Sequence, residues 1–97
     1  MKHFLLTYHL APDYLERRPT FRAEHLALAQ EAVARGELLL GGALDPADRA
    51  VLLFAGEDSI AAERFAASDP YVIEGLVERW EVRAWTTVVG AGASVSL

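Results

Sequence analysis

ELLLGGALDPADRAVLLFAG, residues Glu37 to Gly56, decides the fold. Glu37 to Leu44 reads as a strand whose glycine pair, Gly41-Gly42, either bulges or lets another group come close to the backbone. Asp45-Pro46 supplies the chemistry of a turn across DPADR. Ala50 to Gly56 is apolar throughout, the pattern of a strand covered on both faces. Two strands joined by a short turn therefore occupy the middle of the chain, and what flanks them sets the topology.

Working towards the N-terminus, Gly36 is the left-handed stop of a helix. Pro19-Thr20 opens that helix, since proline suits a first turn and threonine can cap, and it runs to about Arg35. Phe21, His25, Leu28 and Ala32 are spaced four, three and four apart and share a stripe, with Ala29 and Val33 beside it. Arg22, Glu24, Gln30, Glu31 and Arg35 take the other faces. Ala11 to Arg18 reads as a loop, and His3 to His9 as a first strand with Phe4, Leu6 and Tyr8 on one side. Towards the C-terminus, Asp58 or Ser59 caps a second helix whose Ile60, Ala61 and Phe65 face the sheet. Asp69-Pro70-Tyr71 breaks that helix. From Leu76 to about Val88 a last strand alternates, with Glu78, Trp80, Val82, Ala84 and Thr86 on one face and Arg79, Glu81, Arg83 and Trp85 on the other.

The order is β-α-β-β-α-β, the split βαβ arrangement of ferredoxin-like α+β domains. It predicts a four-stranded antiparallel sheet with two helices on one face. An all-apolar strand such as Ala50 to Phe54 cannot leave its other face in water, so a sheet from a second subunit is expected to close it. Residues 1–97 read as one domain, with 87–97 a tail or a strand exchanged with a partner.

Composition supports assembly and excludes several partners. A 97-residue chain that is 53% hydrophobic carries more apolar surface than one small core hides, which points to a homodimer or higher homo-oligomer. Fourteen acidic against nine basic residues, with no basic cluster, argue against nucleic acid. No stretch approaches the roughly 20 apolar residues of a membrane helix, and polar Thr7, Tyr8 and His9 interrupt the short N-terminal apolar run. The absence of cysteine removes disulfides and thiol chemistry, and the expected location is cytoplasmic. Eight of the nine basic residues are arginine, which fits a thermophile or a GC-rich genome alike.

Few residues can carry chemistry. His3 and His9 lie about 20 Å apart along one strand and cannot share a metal ion, and no HxH, HxxxH or HxxE pattern occurs, so no metal site is expected. Both read as partly exposed strand residues. His25 sits on or beside a buried stripe, where it is either a proton-transfer group tuned by burial or a core histidine bonded to a backbone carbonyl. Arg22, one turn earlier, is a candidate for binding the carboxylate of a small acid, or simply a solvated helix face. Asp69, held out of helical geometry by Pro70, can cap a short turn, and can equally accept the Nδ1 proton of an imidazole. Tyr8 and Tyr71 are candidate hydroxyl donors to an anionic oxygen, or boundary residues with buried rings. The serines lack a nucleophile elbow, and Gly41-Gly42 lacks the rest of a phosphate loop.

Together these residues resemble the YciI-like, or YCII-related, family. The resemblance rests on a first strand carrying Tyr8, on R-x-x-H-L at Arg22, His25 and Leu26, on Gly36 followed by Gly41-Gly42, and on Asp69-Pro70-Tyr71. It extends to about Trp85. It implies a dimeric α/β barrel and small-molecule enzymes that use a His and Asp pair, with a dehydrochlorinase among the relatives. By position His25 matches the family histidine and Asp69 the aspartate. The expected function is proton transfer by His25 and Asp69, as in isomerisation or elimination, on a small cyclic or aromatic compound bound by Arg22, Tyr8 and Tyr71, with no cofactor. The alternatives are a non-catalytic ligand-binding or dimeric assembly module and a cofactor-free monooxygenase.

Overall fold

Alternation along the N-terminal strand gives the sheet its two sides. In β1, Lys2–Leu10, the residues Phe4, Leu6, Tyr8 and Leu10 are buried. They face the helices, and Leu5, Thr7 and His9 between them face the other way, as a pleated strand requires. The structure is a computed structural model and describes residues 1–95. Ser96 and Leu97, the end of the expected tail, lie outside the described residues.

The sheet adds β2, Leu38–Ala43, β3, Arg49–Gly56, and β4, Val77–Trp85. Its order is β2-β3-β1-β4, with every neighbouring pair antiparallel. Helix α1, Tyr14–Ala34, and helix α2, Ile60–Ser68, are the two crossovers. A single-turn helix α3, Pro70–Ile73, follows α2 directly. Leu6, Tyr8, Leu52 and Phe54 meet Tyr14, Ala32, Phe65 and Ala66 in one apolar cluster between helices and sheet. This is the ferredoxin-like α+β architecture expected from the element order.

The end of α1 follows local rules. Gly36 takes φ 76°, and its N–H and that of Glu37 donate to the carbonyls of Val33 and Ala32, both at 2.9 Å. That pair of bonds satisfies carbonyls the helix would otherwise orphan. Its start departs from the sequence expectation. The helix begins at Tyr14, not at Pro19, so Arg17 and Arg18 are helical and Pro19 lies inside the helix. Proline removes the hydrogen bond to the Leu15 carbonyl, but Leu15 is 55% exposed, so water can replace it. Tyr14, by contrast, is buried against Tyr71, and anchoring that ring outweighs the local cost.

At the glycine pair the second of the two expected roles holds: a Cβ on Gly41 would lie 3.3 Å from Leu52 Cγ, while the bulge of β2 falls at Leu39, between Leu38 paired with Phe54 and Leu40 paired with Leu53. Two further expectations are corrected. In α2 the inward residues are Ala62, Phe65 and Ala66, while Ile60 is exposed. His3 is buried, its Nδ1 2.7 Å from Thr87 Oγ1, and the chain after β4 folds back so that Ser94 N–H donates to the same hydroxyl oxygen at 2.7 Å. His9 lies against Glu81 at 3.2 Å. On the face away from the helices, Val51 and Leu53 are half-buried and Ala55 is buried.

Candidate active site

Asp69 is where local and long-range structure meet. The residue before proline is driven to extended geometry, and Asp69 takes φ −72°, ψ 123° between α2 and α3. Its Oδ1 accepts from the Tyr71 backbone N–H at 3.0 Å, capping α3. Its Oδ2 accepts from the Tyr8 hydroxyl at 2.7 Å. His25 Nδ1 lies 2.9 Å from both oxygens. The carboxylate is 0% exposed, and these three groups are its hydrogen-bond donors among the described residues. Asp69 is thus both a cap and the partner of His25, two readings that the sequence kept separate.

The His25 imidazole is fixed on three sides. Its face stacks on Tyr71, ring centroids 3.9 Å apart and planes 9° from parallel. Phe65 meets it edge-on at 6.2 Å. Tyr71 is held in turn by Tyr14, edge to face at 5.7 Å. No group among the described residues bonds Nε2. Ring geometry turns that nitrogen away from Asp69, and His25 lines a cavity of about 430 Å³ between α1 and β2. Leu26, Val33, Leu39 and Leu40 form much of its apolar wall.

The remaining expected residues divide. Arg22 and Tyr71 line the cavity. Tyr8 lines it as well, but its one hydroxyl proton is committed to Asp69, so it is a second donor to the carboxylate and not a free donor to a ligand. Burial, then the Asp69 charge and the hydrogen bond to it, push the Tyr8 phenol far above its ordinary pKa. Burial also raises that of Tyr71, with Tyr14 adding to the effect and Arg22 and Arg18 opposing it. Arg18 and Tyr14 line the cavity too and were missed by sequence reasoning. The signal was present: Arg18, Arg22, His25 and Ala29 continue one helical stripe, hidden by starting the helix at Pro19.

The fold defines the class: a ferredoxin-like α+β sheet whose structural neighbours are dimeric α/β-barrel proteins. The dehydrochlorinase TftG from Burkholderia phenoliruptrix, solved with 2,5-dihydroxybenzoquinone, is 23% identical over 88% of this chain and 94% of its own, with TM-score 0.73. A NIPSNAP family protein from Agrobacterium tumefaciens is 18% identical over 98% of each chain, with TM-score 0.61. An antibiotic biosynthesis monooxygenase is 12% identical over 88% of this chain and 96% of its own, with TM-score 0.57. At these identities the likeness is one of fold. None of the curated proteins compared matches the chain. The family model of the YCII-related domain matches residues 1–86, and the chain belongs to that family.

Proposed function

We propose that the protein is a small-molecule enzyme in which His25 moves a proton next to a carbonyl group, isomerising a small cyclic or aromatic compound or eliminating from it, without a cofactor. The observation that carries this reading is the 2.9 Å approach of His25 Nδ1 to both oxygens of a fully buried Asp69. The Tyr8 hydroxyl and the Tyr71 N–H donate to that carboxylate, so it acts as the acceptor and Nδ1 of neutral His25 as the donor. The lone pair is then on Nε2, facing the cavity. Nε2 takes a proton from a carbon next to the carbonyl, and the C–H electron pair enters an enolate. In elimination a neighbouring halide leaves with its bonding pair. In isomerisation the imidazolium returns the proton to another carbon. Asp69 stabilises the imidazolium while Tyr8 holds Asp69, and the positive charge of Arg22 on the cavity wall stabilises the developing oxyanion.

Family membership supports a small-molecule enzyme, and the dehydrochlorinase among the structural neighbours supports elimination as the first reaction to test. Residues 1–97 act as one domain in this reading, and two copies associate through the open sheet face.

The test is ¹⁵N NMR of His25 together with a proton-exchange assay. At neutral pH the wild type is expected to hold the Nδ1–H tautomer, Asp69→Asn to lose it, and His25→Gln to abolish exchange of ring protons of hydroxyquinols in D₂O. A wild-type Nε2–H tautomer would sink the proposal.

A further inference from the structure

The charge of the cavity is at odds with that of the chain. The whole molecule carries a net charge of −5. The cavity is lined by Arg18, Arg22 and His25, with no aspartate or glutamate among its lining residues. Arg18 and Arg22 are four apart on α1 and so lie over one another on one helix face, an arrangement that repels. Neither forms an ion pair among the described residues, which is also true of Arg64, Arg79 and Arg83, but of these arginines only Arg18 and Arg22 line the cavity. The Arg18 guanidinium lies over the Tyr14 ring at 5.7 Å.

A second observation points to the same end of the cavity. Tyr71 is 3% exposed, and its hydroxyl is buried with no hydrogen-bond partner among the described residues. Buried hydroxyls are nearly always paired, and this one belongs to a residue of the cavity wall, so a ligand acceptor that reached it past the neighbouring side chains would supply the missing partner. The charges that act on this hydroxyl against its burial are those of Arg22 and Arg18.

We infer that Arg18, Arg22 and the Tyr71 hydroxyl form a carboxylate clamp, and that the ligand of this cavity is an apolar organic acid. The inference rests on the reading of His25 as the base only for where the reacting carbon lies. Along α1 the lining passes from Arg18 and Arg22, through His25, to Leu26, Ala29 and Val33. Arg22 precedes His25 by about 4.5 Å of helix rise and Arg18 by about 10.5 Å. The acid group therefore points to the start of the helix and the apolar body towards Val33, with a carbon a few bonds from the carboxylate beside Nε2. Guanidinium forks match carboxylate geometry, and a basic cavity in an acidic protein concentrates anions.

The clamp is tested by following cavity amides by NMR while benzoate or neutral benzyl alcohol is titrated into wild type and variants. Benzoate is expected to bind at least 10-fold tighter than benzyl alcohol. Arg18→Gln and Arg22→Gln should each weaken benzoate 5-fold or more. Tyr71→Phe should weaken it about 3-fold without lowering Tm, because the hydroxyl has no protein partner to lose. Equal affinity for the two probes, benzoate shifts confined to residues outside the cavity, or undiminished benzoate binding in the two arginine variants would overturn the clamp. The two proposals are read separately in the wild type, where benzoate binding reports the clamp and the His25 tautomer reports the base: an Nε2–H tautomer with benzoate bound at least 10-fold tighter than benzyl alcohol would defeat the base and leave the clamp standing.

Discussion

At the scale of single residues, the Tyr8 hydroxyl is the contact that most tests the site. It reaches across 61 positions of sequence to Asp69 Oδ2, and both groups are fully buried. Tyr8→Phe removes a hydrogen bond to a buried carboxylate and should cost about 1.5–3 kcal/mol, read as a lower urea midpoint at unchanged slope. Asp69→Ala leaves three donors unpaired and should cost more, about 3–5 kcal/mol. Tyr8 also sets an alkaline limit. Its pKa is raised on folding, so below pH about 10 both folded and unfolded chains keep the phenol proton and the stabilisation is complete. As pH climbs beyond that, the unfolded chain releases the proton while the folded one holds it, and stability falls. Urea unfolding at pH 8 and pH 11 should show this drop, and Tyr8→Phe should lessen it. An equal drop in the variant would assign the effect to other groups.

At the scale of elements, α1 shows a tertiary contact overruling a local signal. Pro19 lies inside the helix because Tyr14 must reach the core, where it packs on Tyr71. The proline is therefore tolerated and not useful to the helix. Pro19→Ala restores a donor for the Leu15 carbonyl and should stabilise the protein by about 1–2 kcal/mol, the helix gain of about 3 kcal/mol being reduced by water at that carbonyl and by the freer unfolded chain. A fall in Tm would show that Pro19 is needed to aim the first turn. The Asp69-Pro70 junction is the opposite case. Local geometry there agrees with the long-range need, because the same extended residue that caps α3 presents both carboxylate oxygens to α1 and β1.

At the scale of the whole molecule, the open sheet face is where the proposed homodimer would form. Leu40, Trp85 and Val89 are 73%, 48% and 81% exposed at its margins, around half-buried Leu5, Val51 and Leu53. Exposed apolar surface of this kind marks an interface. The proposed homodimer should sediment at twice the chain mass, and Leu53→Glu, which places a charge in the middle of the face, should give a folded monomer with unchanged helical circular dichroism. A wild-type monomer at micromolar concentration would remove this interface. His25 and Asp69 lie on the other side of the sheet, so the monomer should keep the His25 tautomer.

The sequence by itself determined the order of elements, the stop at Gly36 and the break at Asp69-Pro70. Those are matters of periodicity and backbone preference, settled within a few residues of each position. It also marked His25 and Asp69 as worth pairing, through a motif resemblance and not through any spacing, since 44 residues separate them. Only the tertiary structure decided that Tyr8 serves Asp69, that Tyr71 stacks on His25, that α1 begins at Tyr14 and that the bulge falls at Leu39. Each depends on which distant groups the packed sheet and helices bring within a few ångströms, and on the cost of leaving a buried polar group or a large ring without a partner, neither of which is written in the neighbouring residues.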